Sequence, residues 1–192
     1  EEETSEVQEQ QTEEDAEDPQ NEENMTQPET GAETEITKIL TAANAQETAD
    51  TTLGIDVAKY QGTIDWTEVA ASGIDFVMVR VGYRTQNSGE IVADTNAKYN
   101  MQEATANGLK IGAYFFSTAI SEEEAIEEAR WVADYISQYQ ITYPVAYNCE
   151  GFHNPENRQY NLTKTERTDF AIAFFTVLFG INTHSLGSNE PT

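Results

Sequence analysis

The chain of 192 residues carries 35 Asp and Glu against 10 Lys and Arg, a net charge of −25, with 38% hydrophobic residues and a single cysteine. So acidic a balance argues against nucleic acid and against adsorption to anionic lipid, because both rely on Lys and Arg to meet phosphates. Cys149 has no second cysteine with which to form a disulfide inside the chain.

The charge is unevenly spread: residues 1–52 hold 17 acidic groups and one base, Lys38. The first 48 residues are rich in Glu, Gln, Thr, Asn and Ala and contain no aromatic side chain, so they cannot bury enough surface to offset the entropy of ordering. We expect an acidic disordered tether over residues 1–50 and a folded portion over 51–192. Ile36–Ala45 has too few apolar positions to commit to a helix. The chain opens on Glu1, so its natural start is expected to lie upstream, and an acidic tether ahead of a folded domain fits an exported protein whose signal has been removed. No run of about 20 apolar residues is present to span a membrane, and the longest apolar stretch, Phe170–Ile181, is too short.

Leu53–Tyr60 reads as a first strand, turned by Gln61-Gly62, with Asp56 set among apolar neighbours where a carboxylate is costly unless paired or used. Ile64–Ser72 reads as a helix with Trp66 and Val69 inward and Gly73 as its stop. Asp75–Gly82 is nearly continuous in apolar character, the mark of a strand buried on both faces in a parallel sheet. Tyr83–Ala93 is a polar loop. Asp94–Asn107 follows as a helix with Asp94 as N-cap and Gly108 as its stop.

Leu109–Ser117 is the third strand. Ser121 and the three glutamates after it open the clearest helix, its inward stripe being Ala125, Ala129, Trp131, Val132 and Ile136. The fourth strand runs from Tyr143-Pro144 to the glycine turn at Gly151, and Thr163–Gly180 is a fourth helix opened by the capping pattern Thr163-Lys164-Thr165-Glu166. Four alternations of strand and helix make an α/β chain, with a (β/α) barrel as the first choice.

In such a barrel chemistry is done where the carboxyl ends of the strands meet. Asn148 and Glu150 stand two residues apart at one of those ends, so an extended strand turns both to one side. Sugar-cleaving sites need a protonated carboxyl to donate to the leaving oxygen and a second group to support the cationic ring or activate water. Glu150 is the candidate acid and Asp56 its partner. The bland accounts are a surface turn for Glu150 and a strand-end cap for Asp56. Cys149 reads as a small buried residue facing away from Glu150; a nucleophile would want His153 or His184 nearby in space.

Gly54-Ile55-Asp56-Val57 with Gln61-Gly62 and Ile64-Asp65-Trp66, then Val79–Arg84, then Gly112–Ser117 and the Pro144–Glu150 strand together resemble the family 25 glycoside hydrolases, lysozymes of the N-acetylmuramidase type. The resemblance runs from about Leu53 to Gly180. It implies a modified (β/α) barrel that cleaves the β-1,4 bond between N-acetylmuramic acid and N-acetylglucosamine in peptidoglycan glycan strands, without a metal or other cofactor. The family's strand-one aspartate falls on Asp56 and its acid/base glutamate on Glu150. Its Asp-x-Glu aspartate falls on Asn148, a departure: an amide is no charged base, but it can orient the substrate's acetamido group for attack on its own ring carbon. Tyr60, Tyr83, Tyr114, Phe116 and Tyr147 are candidates to stack on sugar rings or else to fill the core. Arg80 is expected to pair with a carboxylate, with Asp94 as its mate or as a further rim group.

A complete domain of this kind would need about four more strands after Gly180, whereas Ile181–Thr192 are polar and turn-like. The expectation is therefore the first half of a barrel, with open edges inviting self-association and a helix, Phe170–Phe179, apolar nearly all round. The competing reading is a glycan-binding module that keeps the groove and lacks turnover.

Overall fold

The computed structural model describes residues 52–180; the tether, the Ile36–Ala45 stretch and residues 181–192 lie outside them. The element order is β1 (Gly54–Val57), a 3₁₀ turn (Lys59–Gln61), α1 (Trp66–Ala71), β2 (Phe76–Arg84), β3 (Ile91–Ala93), α2 (Ala97–Ala106), β4 (Lys110–Phe116), α3 (Glu122–Ile136), β5 (Val145–Asn148) and α4 (Lys164–Leu178). The strands form one sheet in the order β1-β2-β4-β5, with β3 on β2. All pairings along that path are parallel, and only β3 runs antiparallel. This is the expected α/β architecture, a run of parallel strands with helices, of barrel type.

The helices start where their caps put them. Asp65 accepts from Thr67 N and Glu68 N at the head of α1, Ser121 Oγ accepts from Glu124 N at the head of α3, and Thr163 with Glu166 closes a reciprocal capping box on α4. Helix packing covers one face of the sheet. Val77, Val79, Val81, Ile111, Ala113 and Phe115 there meet Met101, Ala129, Val132, Phe170 and Phe174 in one core.

Several elements depart from the sequence reading. The first strand stops at Val57, because Lys59–Gln61 turns as 3₁₀. The polar Tyr83–Ala93 stretch is not all loop: β2 continues to Arg84 and β3 pairs back on it at Gly82↔Ala93 and Arg84↔Ile91. Asp94 is not the N-cap, since Asn96 occupies that position; it stands two residues ahead, one carboxylate oxygen accepting from Asn96 N and the other engaged by Arg80 and Lys59 N. Glu128 joins the buried stripe of α3 beside Ala125, Ala129 and Val132. Ile172 on α4 is 59% exposed and Phe179, its C-cap, 67%, in keeping with an apolar helix whose outer side has no covering layer among the described residues.

One irregularity decides what faces what. β2 and β4 keep step from Phe76↔Lys110 to Arg80↔Tyr114, then slip by one residue so that Gly82 meets Phe115 and Tyr83 meets Phe116. Strict alternation would send Arg80 and Arg84 to the same face. The bulge at Val81 inverts the parity, turning Tyr83 to the side of Arg80 and sending Arg84 to the helix side.

Candidate active site

On the face away from the core, register aligns Asp56 with Met78 and Gly112, and Tyr114 with Ala146. Asp56, Met78, Tyr114, Ala146, Asn148 and Glu150 line one cavity of about 360 Å³. Parallel pairing is the cause: β1 and β5 run in the same direction, so the carboxylate of one and the amide and carboxylate of the other arrive at the same end. Gly112 shapes the floor, because a Cβ there would collide with the sulfur of Met78 and stand 3.0 Å from Pro144 O. Asp56 is exposed, whereas Asn148 and Glu150 are half-buried. The burial cost expected for Asp56 therefore does not arise, since the sheet's inner face is open where it stands.

Asn148 is held by its main chain, its carbonyl accepting from Ser117 N at 2.8 Å. Beyond it Gly151 turns with φ +76°, a conformation that favours glycine.

Next to the cavity lies a buried cation. Arg80 is fully buried, and its Nε donates to Asp94 Oδ2 at 2.8 Å. The guanidinium lies 5.1 Å from the Tyr60 ring centre and 5.0 Å from that of Tyr83, a geometry in which ring quadrupoles favour the charge. Asp94 Oδ2 also accepts from Lys59 N at 3.0 Å, and its Oδ1 from Asn96 N at 2.9 Å. One carboxylate thus joins the turn after β1, the middle of β2 and the start of α2. The pairing of Arg80 with Asp94 is as the sequence suggested.

The aromatic candidates separate. Tyr114 lines the cavity. Tyr83 and Phe116 are each 2% exposed, and neither lines it. Tyr147 is a correction: its ring packs against Phe174 and Phe175 of α4, and its hydroxyl accepts from Ser117 Oγ at 2.8 Å, so it serves the core rather than a sugar. Burial pushes its phenol well above the usual range. Burial also raises the Cys149 thiol, which disfavours the reactive thiolate.

Three groups escaped the sequence reading. Met78 and Ala146 complete the cavity wall, and only strand register places them beside Asp56 and Asn148. Glu128 lies fully buried on the helix side, where its Oε1 meets Arg84 Nε at 2.7 Å. Its signal was present, an acid four residues after Glu124 on the inward stripe, but acids on that helix read as solvated. Burial outweighs the Ser117 hydroxyl and the Arg84 guanidinium and pushes its carboxyl up to about 7. Arg84 spreads its charge further, over Glu127 Oε2 at 2.7 Å and the Glu124 carbonyl at 3.1 Å.

A model of the glycosyl hydrolases family 25 matches residues 55–178. The chain belongs to the family 25 glycosyl hydrolases. Among solved structures, the modular autolysin LytC from Streptococcus pneumoniae superposes with a TM-score of 0.59 at 22% identity, over 71% of this chain and 31% of that one. A family 25 glycosyl hydrolase from Bacillus anthracis gives 0.56 at 22%, over 70% and 58%. A muramidase from Acremonium alcalophilum gives 0.53 at 25%, over 68% and 61%. These likenesses agree on the fold. This family 25 chain spans between about a third and three fifths of the length of those structures. No curated protein sequence matches it.

Proposed function

We propose that this family 25 chain is the N-terminal portion of a peptidoglycan muramidase that hydrolyses the β-1,4 bond between N-acetylmuramic acid and N-acetylglucosamine. The observation that carries the reading is the shared cavity of Asp56, Asn148 and Glu150, within a chain whose residues 55–178 match the family. LytC has been solved with a synthetic peptidoglycan ligand, which supports glycan strands as the substrate class.

Glu150 donates its proton to the glycosidic oxygen as the bond to the ring carbon breaks. Asn148 orients the acetamido group so that its oxygen attacks that carbon and closes a ring. Asp56 supports the positive charge that develops. Water then opens the closed ring, with its proton returning to the Glu150 carboxylate and leaving the acid ready for another turn. Tyr114 supplies an apolar wall for a sugar face, while Arg80, Asp94 and Tyr83 stiffen the rim beside Asp56. Among the described residues no helix is long and apolar enough to cross a membrane, and action on the wall places the site outside the cell.

The test is release of reducing ends from purified peptidoglycan. Glu150→Gln is expected to lower it by about 10²- to 10⁴-fold, the usual worth of a positioned acid, with the fold intact by circular dichroism. Equal release from the wild type and this variant would sink the assignment. Capture of peptidoglycan without any release would favour a binding module.

A further inference from the structure

Residues 149–163 have no regular secondary structure, yet Glu150 stands near their start. A connection this long holds a functional side chain in place only if something ties it. Three consecutive side chains do so. Asn157 Nδ2 donates to the Glu150 carbonyl at 3.3 Å, and Asn157 Oδ1 accepts from Gln159 N at 2.8 Å. Arg158 donates to the Thr118 carbonyl at 3.2 Å and pairs with Glu124 Oε1 at 2.8 Å, while its main-chain N–H meets Gln86 Oε1 at 3.0 Å. Gln159 Nε2 donates to the Ala119 carbonyl at 2.8 Å.

The anchors are firm. Thr118, Ala119 and Glu124 belong to the connection from β4 into the first turn of α3, and Glu124 Oε2 itself accepts from Ile120 N at 2.9 Å. Asn157 is 8% exposed and Gln159 1%, so water competes little for these bonds. Gly151 matches the arrangement, because a Cβ there would stand 2.6 Å from Asn157 Nδ2. The main chain of Glu150 is therefore located by the β4–α3 connection, through the loop, as well as by β5, which ends two residues before it.

We infer that Asn157, braced by Arg158 and Gln159, is a positioning residue that sets where Glu150 stands over the cavity. The inference rests on the proposed role of Glu150 as acid. Asn157 acts on the main chain, and a displacement of about 1 Å at a reacting group costs about 100-fold in rate.

The test uses the full chain with carbonyl-labelled glutamate, the Glu150 carbon resonance being assigned by its loss in Glu150→Gln. In Asn157→Ala, kcat on peptidoglycan is expected to fall about 10- to 100-fold with KM within about twofold, and the Glu150 carbonyl resonance to shift because its hydrogen-bond donor is gone. Asn157→Asp, which keeps the acceptor and loses the donor, should behave like the alanine variant. Arg158→Gln should show a smaller loss of kcat and Arg158→Lys should restore it by keeping a cation on Glu124; this pair carries the test if Asn157→Ala fails to fold. An unmoved Glu150 resonance, or unchanged kcat in a folded Asn157→Ala protein, overturns the inference. If the wild type releases no reducing ends, the muramidase reading fails, and the resonance alone still decides whether Asn157 holds Glu150.

Discussion

Arg80 and Arg84 leave the same strand four residues apart and serve opposite faces of the sheet. Arg80 meets the Asp94 carboxylate between two tyrosine rings on the cavity side. Arg84 meets Glu127 and Glu128 of α3 on the core side. The two faces are built for different ends. The helix-covered face is filled with apolar side chains and holds the fold together, whereas the inner face keeps Asp56, Asn148 and Glu150 around open space. Polar groups on the open face keep access to water and to a substrate, while those on the covered face must find partners inside the protein.

Substitutions that treat the faces differently can break this comparison. The largest contrast should be between Phe115, fully buried against the helices, and Met78, half-buried in the cavity wall. Phe115→Ala should cost about 3–5 kcal/mol of unfolding free energy and leave the site chemistry of the surviving folded fraction intact. Met78→Ala should cost about 1 kcal/mol and be felt mainly in KM. Equal costs in denaturant titrations would mean that the cavity wall is as tightly packed as the core.

Asp94→Ala tests the inner pair. It takes the bonded carboxylate away from the buried Arg80 and releases the turn after β1, so about 3–5 kcal/mol should be lost, with turnover falling as Asp56 loosens. A loss below about 1 kcal/mol would show that the Asp94 carboxylate contributes little to holding Arg80.

On the covered face the sharper probe is pH. Glu128 is pushed from 4.5 up to about 7 in the folded chain. Between those values the folded state holds a proton that the unfolded state has lost, so this group's contribution to stability falls as pH rises through that window and levels off above it. The total is about 3 kcal/mol. Glu128→Gln should abolish that part of the slope in melting curves recorded from pH 5 to pH 8. Parallel wild-type and variant curves would mean that Arg84 holds Glu128 ionised throughout.

The smallest effect on stability belongs to the outside of α4. Ile172 is largely exposed, and Ile172→Ser should shift stability by less than about 0.5 kcal/mol. Its effect should appear in association instead. Among the described residues β1 and β5 each have one neighbouring strand, and such open edges pair with other chains. Sedimentation is expected to show concentration-dependent self-association of the wild type, reduced in Ile172→Ser. A monodisperse wild-type monomer across concentrations would remove this expectation.

Much of the fold was legible because it rests on local chemistry. The caps at Ser121 and Thr163, the glycine stops at Gly73 and Gly108, and the apolar run around Val77–Val81 each point to one element with little help from distant residues. The catalytic candidates were legible for a related reason: a carboxylate at a strand end followed by a glycine turn is unusual enough to notice. What stayed hidden depends on pairing across the sheet. The polar Tyr83-Arg84 end of β2 reads as loop until β3 pairs with it, and Tyr147 reads as a rim aromatic until α4 packs on its ring.

By itself the sequence determined the alternating elements, the parallel sheet and the pairing of Asp56 with Glu150 as the groups to watch, since periodicity and strand direction are written into neighbouring residues. The tertiary structure alone decided which face each side chain takes. A one-residue slip at Val81 moves Arg84 from one side of the sheet to the other, and nothing short of the register with β4 reveals it. The same holds for Glu128 and Asn157, whose partners lie dozens of residues away or act through the main chain: their roles come from enclosure and hydrogen bonding that exist only once the layers have closed.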